Sequence, residues 1–298
     1  MRNLTAREGL AIALALSFLP PPVFAEILHI GSVHSRPVEE IKKLMPLATY
    51  LGNQLQADGI TGGQVVVGRS LAEAARLLRD GRIELYIDSV FPSLALSQLA
   101  GSKLLVRRWK KGVADYRAVI FARKDGGVSR LEDLKERTLA FEASYSSSGY
   151  LYPKMILLQK GFKLAPLADP ASVVGRGKVG YAFTGDDQNT MLWVLKGKVS
   201  AGALDDQSFV KESGAELDKL LVVYRSFSIP RHIVSHRGDL SPRLVARIKE
   251  ILLKMDQSEE GKKALHEFET TTKFDEIPSS AITSIRQGWK LVEAEIVK

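Results

Sequence analysis

Along the 298 residues, short unbroken apolar runs alternate with longer stretches in which apolar residues recur every three or four positions. The first pattern reads as buried strands and the second as amphipathic helices, and their alternation predicts an α/β architecture with mainly parallel sheets. Ile27 to Gly31 is the first strand; Ile41, Leu44, Leu47, Leu51 and Leu55 then keep helical spacing behind Pro37, with Pro46 expected to kink or split the helix. Strands follow at Gln64 to Val67, Ile83 to Ile87 and Lys103 to Arg107. Between them, Ser70 and Glu73 form a capping box that opens a helix to about Arg79, and Phe91 to Leu99 forms another. Tyr116 to Arg123 is long enough to leave one lobe and enter a second. In that lobe Ser129 caps a helix from Leu131 to Glu136, Thr138 to Phe141, Lys178 to Phe183 and Lys198 to Ala203 are strands, and Asn189 to Lys196 is a helix. Leu220 to Tyr224 is expected to return the chain to the first lobe, and amphipathic helices at about 241–256, 258–268 and 279–296 close it.

Two lobes are therefore expected, one built from 26–115 and 222–298 and the other from 116–221, each a mainly parallel sheet flanked by helices. In such folds ligands bind in the crevice at the carboxyl ends of the strands. Function should then reside in five polar loops that follow strands: Ser32 to Ser35, Asp88 to Phe91, Ser144 to Ser148, Thr184 to Asn189 and Leu204 to Gln207. The third is the most informative. Ser144-Tyr-Ser-Ser-Ser-Gly-Tyr-Leu-Tyr-Pro153 follows a strand and opens a helix, offering unpaired N–H groups, hydroxyls and the positive end of a helix dipole to one point. One serine would suffice for a cap, whereas three in a row with flanking tyrosines suit a small anion.

Residues 1–25 have the order of a secretory signal: Arg2 and Arg7, an apolar core from Leu10 to Leu19, and Val23-Phe-Ala25 as a cleavage site. That core is shorter than the roughly 20 residues that span a bilayer, so an exported chain beginning at Glu26 is expected. Cysteine is absent, which excludes disulfides, thiolate metal sites and a cysteine nucleophile. The formal charge is +8, but the basic runs at Arg107 to Lys111 and Arg243 to Lys254 are short and far apart, without the aromatic-studded groove of a nucleic-acid binder. No Gly-x-Ser-x-Gly elbow, Gly-x-Gly-x-x-Gly or phosphate-loop pattern is present, which argues against a hydrolase and against nucleotide binding. His232 and His236 lie four apart on an extended segment with no third ligand, so no metal is expected. The acidic pairs Asp186-Asp187 and Asp205-Asp206 read as caps and loop residues rather than catalytic carboxylates.

With these motifs in place the chain resembles the phosphate, phosphite and phosphonate class of periplasmic substrate-binding proteins, which have the type II two-lobe fold and serve ATP-driven importers. The marks are Ile30-Gly31, Leu77 to Tyr86, Ser146-Ser-Ser-Gly-Tyr150 with Pro153, Gly185 to Asn189 and Leu195 to Ala203, five motifs in the family's order over nearly the whole mature chain. The resemblance implies a non-catalytic, cofactor-free periplasmic receptor for a small oxyanion that delivers it to an inner-membrane permease. Ser146, Ser147 and Ser148 inherit the anion seat by position, and a monomer is expected. A ligand-sensing module for a kinase, or a receptor for another organic anion such as a sulfonate, is the alternative. Ser32, His34, Ser89, Tyr145, Tyr150, Asn189 and Asp205 complete the expected lining. Two departures from the family bear on the ligand. Asp88 and Ser89 stand where a tyrosine is usual, and Asp88 must accept a proton, meet an amine or point away, because a carboxylate repels a dianion. Arg231 and His232 stand where an acidic residue can occur, offering a planar bidentate donor and a titratable one.

Overall fold

The computed structural model describes residues 26–296; the expected signal segment lies outside them. Two six-stranded sheets form the framework. The first contains β1 (Glu26–Val33), β2 (Ile60–Gly68), β3 (Leu85–Asp88), β4 (Lys103–Lys110), β13 (His232–His236) and β14 (Thr271–Asp275), in the order β14-β4-β13-β3-β1-β2. The second contains β6 (Ala118–Arg123), β7 (Thr138–Phe141), β8 (Lys163–Pro166), β9 (Lys178–Phe183), β10 (Ala201–Asp205) and β11 (Leu220–Arg225), in the order β11-β6-β10-β7-β9-β8. Strands β1, β2 and β3 run parallel, as do β7, β8, β9 and β10, so both parallel sets end at one place, the gap between the sheets.

The chain crosses between sheets twice, and the crossings pair: β5 (Asp115–Tyr116) lies antiparallel to β12 (Ile229–Pro230). This corrects the expected return at Leu220 to Tyr224. That segment is β11, held antiparallel to β6 in the second sheet, so the boundary at 222 falls inside a strand and the chain goes back at Ile229–Pro230. Its apolar residues fit either sheet; only the partner strand decides. The polar strand β14 and the short β8 also escape periodicity, and the expected helix at 131–136 is a single 3₁₀ turn, Leu131–Leu134.

Helix α1 (Pro37–Gln54) runs through Pro46 without splitting and buries Leu44, Leu47, Ala48 and Leu51. It lies backbone to backbone on β2, because a Cβ at Gly63 would sit 1.8 Å from the Ala48 carbonyl oxygen and one at Gly52 2.4 Å from the Gly62 carbonyl carbon. Helices α2 (Leu71–Arg79) and α3 (Val90–Ala100) cover the other face of this sheet, packing with Val33, Ile83 and Tyr86, and Ser70 caps α2 through the Glu73 N–H. In the second lobe stand α4 (Tyr152–Gln159), α5 (Asp187–Leu195) and α6 (Asp206–Ser213). Helices α7 (Pro242–Lys254), α8 (Glu259–Glu267) and α9 (Ser279–Gly288) end the chain. The segment after α8 does not stay with one lobe. Gly288 packs on Met155 of α4, while Trp289 stacks on Phe91 of α3 at 5.9 Å and its Nε1–H donates to Gln98. Phe91 in turn meets Tyr152 at 5.8 Å, so one apolar core, including Val33, Phe91, Ile120 and Leu139, continues across both lobes.

Candidate ligand-binding cleft

A cavity of about 610 Å³ opens where the parallel strands end. From the first sheet it receives the end of β3 and the start of α3. Asp88 Oδ1 accepts from the Ser89 N–H at 2.6 Å and the Ser89 hydroxyl at 3.1 Å, and Oδ2 accepts from the Tyr86 hydroxyl at 2.7 Å. From the second sheet it receives the serine cluster, where a single π-helical turn, Ser147–Leu151, precedes α4. Ser146 Oγ caps that turn through the Gly149 N–H and donates to Glu142 at 2.6 Å. Ser147 bridges the lobes: its hydroxyl donates to Ser89 Oγ at 2.8 Å and accepts from the Phe91 N–H at 3.0 Å. Two helix starts and their hydroxyls therefore meet at one place, the arrangement that favours an anion.

The crossing ribbon adds the next donors. Tyr116 touches Ser147 and Ser148 through its hydroxyl, and the Arg231 guanidinium lies 5.1 Å from the centre of its ring. Arg231 is 92% buried, with Nη1 3.3 Å from Asp205 Oδ1, while its Nε has no hydrogen-bond partner among the described residues. The neighbouring His232 Nδ1 is likewise buried and without a partner there. An unmet buried polar group costs roughly 1–3 kcal/mol, so Arg231 Nε awaits an acceptor and His232 Nδ1 a partner that matches its tautomer. Burial, reinforced by Lys110 and Arg108, keeps the His232 ring well below the ordinary histidine range, hence neutral.

Charge is segregated around this seat. The second lobe presents Glu142, Asp186, Asp187, Asp205 and Glu212 with one cation, Lys211; the first presents Arg36, Lys43, Arg108, Lys110 and Lys111 with Glu40, Asp88 and Glu269. Burial pushes Asp88 up to about 7, and burial aided by Asp187 pushes Glu142 up to about 8. Asp187 rises to about 6, again from burial. Asp205 goes the other way: burial would raise it, but Arg231 and Ser208 hold it down. Near neutral pH Asp88 and Glu142 thus carry protons part of the time, which removes much of their repulsion for an anion and lets them donate a hydrogen bond.

The family profile described as the periplasmic substrate-binding protein of a phosphonate ABC transporter matches residues 30–281. The chain belongs to this family. It is a substrate-binding receptor of the phosphonate-transporter class, with the type II periplasmic-binding fold. Among solved structures, XAC2383 of Xanthomonas citri, seen bound to chloride and to ATP, is 25% identical with TM-scores of 0.83 and 0.81, covering 91% of this chain and 97% of its own. A binding-protein component of an ABC phosphonate transporter from Pseudomonas aeruginosa shares the fold at 18% identity and a TM-score of 0.66, covering 91% of this chain and 87% of its own. PhnD1 of Prochlorococcus marinus, in complex with methylphosphonate, also shares it at 18% and 0.66, covering 90% of this chain and 98% of its own.

Of the residues expected to line the receptor's cleft, Ser32, His34, Asp88, Ser89, Tyr145, Ser146, Ser147, Ser148, Asp205, Arg231 and His232 do lie on the cavity. Ser32 donates to Glu40 at 3.0 Å, and burial lowers the His34 ring, whose Nδ1 accepts from the Arg36 N–H. Asp205 caps α6, accepting from the Gln207 and Ser208 N–H groups, so it faces the cavity while already committed. Two expectations need correction. Tyr150, inside the π-turn, is 1% exposed in an aromatic cluster with Phe141, Tyr181 and Phe183, so its ring packs in the second lobe instead of lining the cavity. Asn189 spends its N–H on Asp186 and its side-chain amide on the Thr184 carbonyl, within the capping turn of α5. Periodicity missed Tyr116, Glu142, Lys43, Arg108, Lys110 and Glu269, which line the cavity. For Arg108 and Lys110 the signal was present, a basic run ending a strand, but it was weighed only against nucleic-acid binding.

Proposed function

We propose that this receptor closes its two lobes around a phosphonate-type oxyanion seated between Ser89, Ser147, Ser148 and Tyr116 and completed by Arg231 and His232. The observation that carries this reading is the buried donor Arg231 Nε and the neighbouring ring nitrogen His232 Nδ1, both without a partner among the described residues, beside a hydroxyl cluster fed by two helix starts. Closure surrounds the anion with fixed dipoles, where hydrogen bonds strengthen as water leaves and a mismatched analogue leaves donors unmet. Asp88, part-protonated, donates rather than repels and so favours a ligand oxygen that can accept. The protein itself performs no chemistry: it acts as a monomer, exported by residues 1–25 with cleavage after Ala25, and hands its ligand to an inner-membrane permease. His34, Ser32 and Tyr145 rim the entrance of this seat in the same reading.

The test is a melting-temperature panel on protein freed of ligand by partial unfolding and refolding. The panel holds phosphate, phosphite, methyl- and aminoethylphosphonate, sulfate, taurine and ATP, the last because XAC2383 has been seen bound to it. A ligand at 100 times its dissociation constant stabilises the fold by about 2.7 kcal/mol, a shift of a few degrees at this size. Stabilisation by phosphorus oxyanions and not by sulfate or taurine supports the reading. Stabilisation by taurine alone replaces it with a sulfonate receptor, and a flat panel removes the oxyanion seat.

A further inference from the structure

The cleft carries more than a small oxyanion needs. Arg108 and Lys110 stand two residues apart on β4, and Lys43 of α1 reaches the same corner. All three converge on one carboxylate, Glu269: Arg108 Nη1 at 3.2 Å, Lys110 Nζ at 2.9 Å and Lys43 Nζ at 3.8 Å. The second carboxylate at this corner, Glu40, lies 3.5 Å from Lys43 but also accepts from Ser32. Three cations against two carboxylates leave one positive charge in surplus. Lys110 shows the strain: burial pushes its ammonium down to about 8, more than Glu269 beside it can offset. His232, directly across from Arg108 in the β13–β4 register, adds its unpartnered Nδ1. Glu269 and Thr270 both adopt left-handed backbone, φ 49° and 54°, which is uncommon outside glycine, in the loop that brings the carboxylate into this corner. At about 610 Å³ the cavity lies in the range of pockets for drug-sized ligands, roughly 300–1,000 Å³. A methylphosphonate seated on the hydroxyl cluster leaves the basic corner to water.

We infer that this corner is a second anion subsite, and that the ligand is a phosphonate carrying a carboxylate a few bonds from phosphorus. The inference rests on the receptor reading above: the phosphonate takes the hydroxyl seat with Arg231, and the carboxylate meets Lys110 and Lys43. Arg108, pinned by Thr271, the Phe268 carbonyl and Glu269, stays fixed and supplies field rather than a contact. The surplus charge is then neutralised inside the closed protein, and a ligand lacking the second anion leaves it uncompensated.

Two ligand pairs isolate that carboxylate: ethylphosphonate with 3-phosphonopropionate, and 2-aminoethylphosphonate with 2-amino-3-phosphonopropionate. Titration calorimetry should find the carboxylate-bearing member of a pair about tenfold or more tighter, the effect of one charge-assisted hydrogen bond. In Lys110→Met that ratio should fall below about threefold. Lys43→Met, at a position with a partly exposed side chain, should lower it too and covers the case in which the Lys110 variant does not fold. Equal affinities within both pairs, or a ratio untouched in folded Lys43→Met and Lys110→Met, overturn the second subsite while leaving the receptor reading in place. Failure of all four phosphonates to bind overturns both.

Discussion

Replacing Arg231 by methionine separates what this residue does for the fold from what it does for the ligand. Methionine keeps much of the buried aliphatic volume over Tyr116 and removes the planar donor. The backbone N–H of residue 231, which donates to the Ala114 carbonyl at 2.8 Å, is unaffected, so the crossing ribbon survives. Asp205 loses its cation but keeps the Gln207 and Ser208 N–H groups and the Ser208 hydroxyl. Breaking a buried pair costs about 3–5 kcal/mol when the remaining charge is left bare; with three hydrogen bonds retained, a loss at or below about 3 kcal/mol is expected. Ligand loses at least one charge-assisted hydrogen bond, about 1.5–3 kcal/mol, which is roughly 10- to 150-fold in dissociation constant. Adding Asp205→Asn should recover most of the stability without recovering affinity. Urea denaturation gives the first quantity and calorimetric titration of methylphosphonate the second. Affinity within about threefold of the parent in a folded Arg231→Met protein would refute the seat, whatever happens to stability.

Ser147→Ala removes the hydroxyl that joins Ser89 to the Phe91 N–H, and should weaken methylphosphonate by about 1–3 kcal/mol and lower the unfolding midpoint, both read by titration and melting. Asp88 near 7 and Glu142 near 8 have folded values raised above their unfolded ones, so the folded state binds their protons more tightly. That contribution is present at low pH and is lost as pH rises through about 5 to 8, while Glu269, held near 2 by Lys110 and Arg108 against burial, loses its contribution as pH falls below about 4. Stability and oxyanion affinity should both decline from pH 5 to pH 8, and Asp88→Asn should flatten the part of that decline below about pH 7; an unchanged slope there in Asp88→Asn would rule Asp88 out as its source. Asn189→Ala should leave affinity within about twofold and cost under about 1 kcal/mol in urea, since among the described residues Asn189 bonds within the capping turn of α5.

Local rules carried much of the reading. Ser70, Ser146, Asp186 and Asp205 are caps whose partners lie within a few residues, so sequence alone could place them. Strands ending in polar loops likewise pointed to the region of the cleft before any contact was known. Arg231 and His232 were legible only through the family resemblance, as a departure at a position that can be acidic; the crossing that carries them, Ile229–Pro230, was expected earlier, at Leu220 to Tyr224.

What sequence determined by itself was the run of elements, the carboxyl-end placement of polar loops and the richness of hydroxyls at Ser146 to Ser148, because periodicity and capping act over one to four residues. Only the tertiary structure decided which sheet β11 joined, that Ser147 bonds Ser89 from 58 positions away, and that Arg108 meets Glu269 from 161. It also packed Tyr150 against Phe141 and Tyr181. A net charge of +8 says nothing of segregation; opposite walls of acid and base arise only when distant strands end at the same gap, and burial there then sets which carboxyls keep their protons.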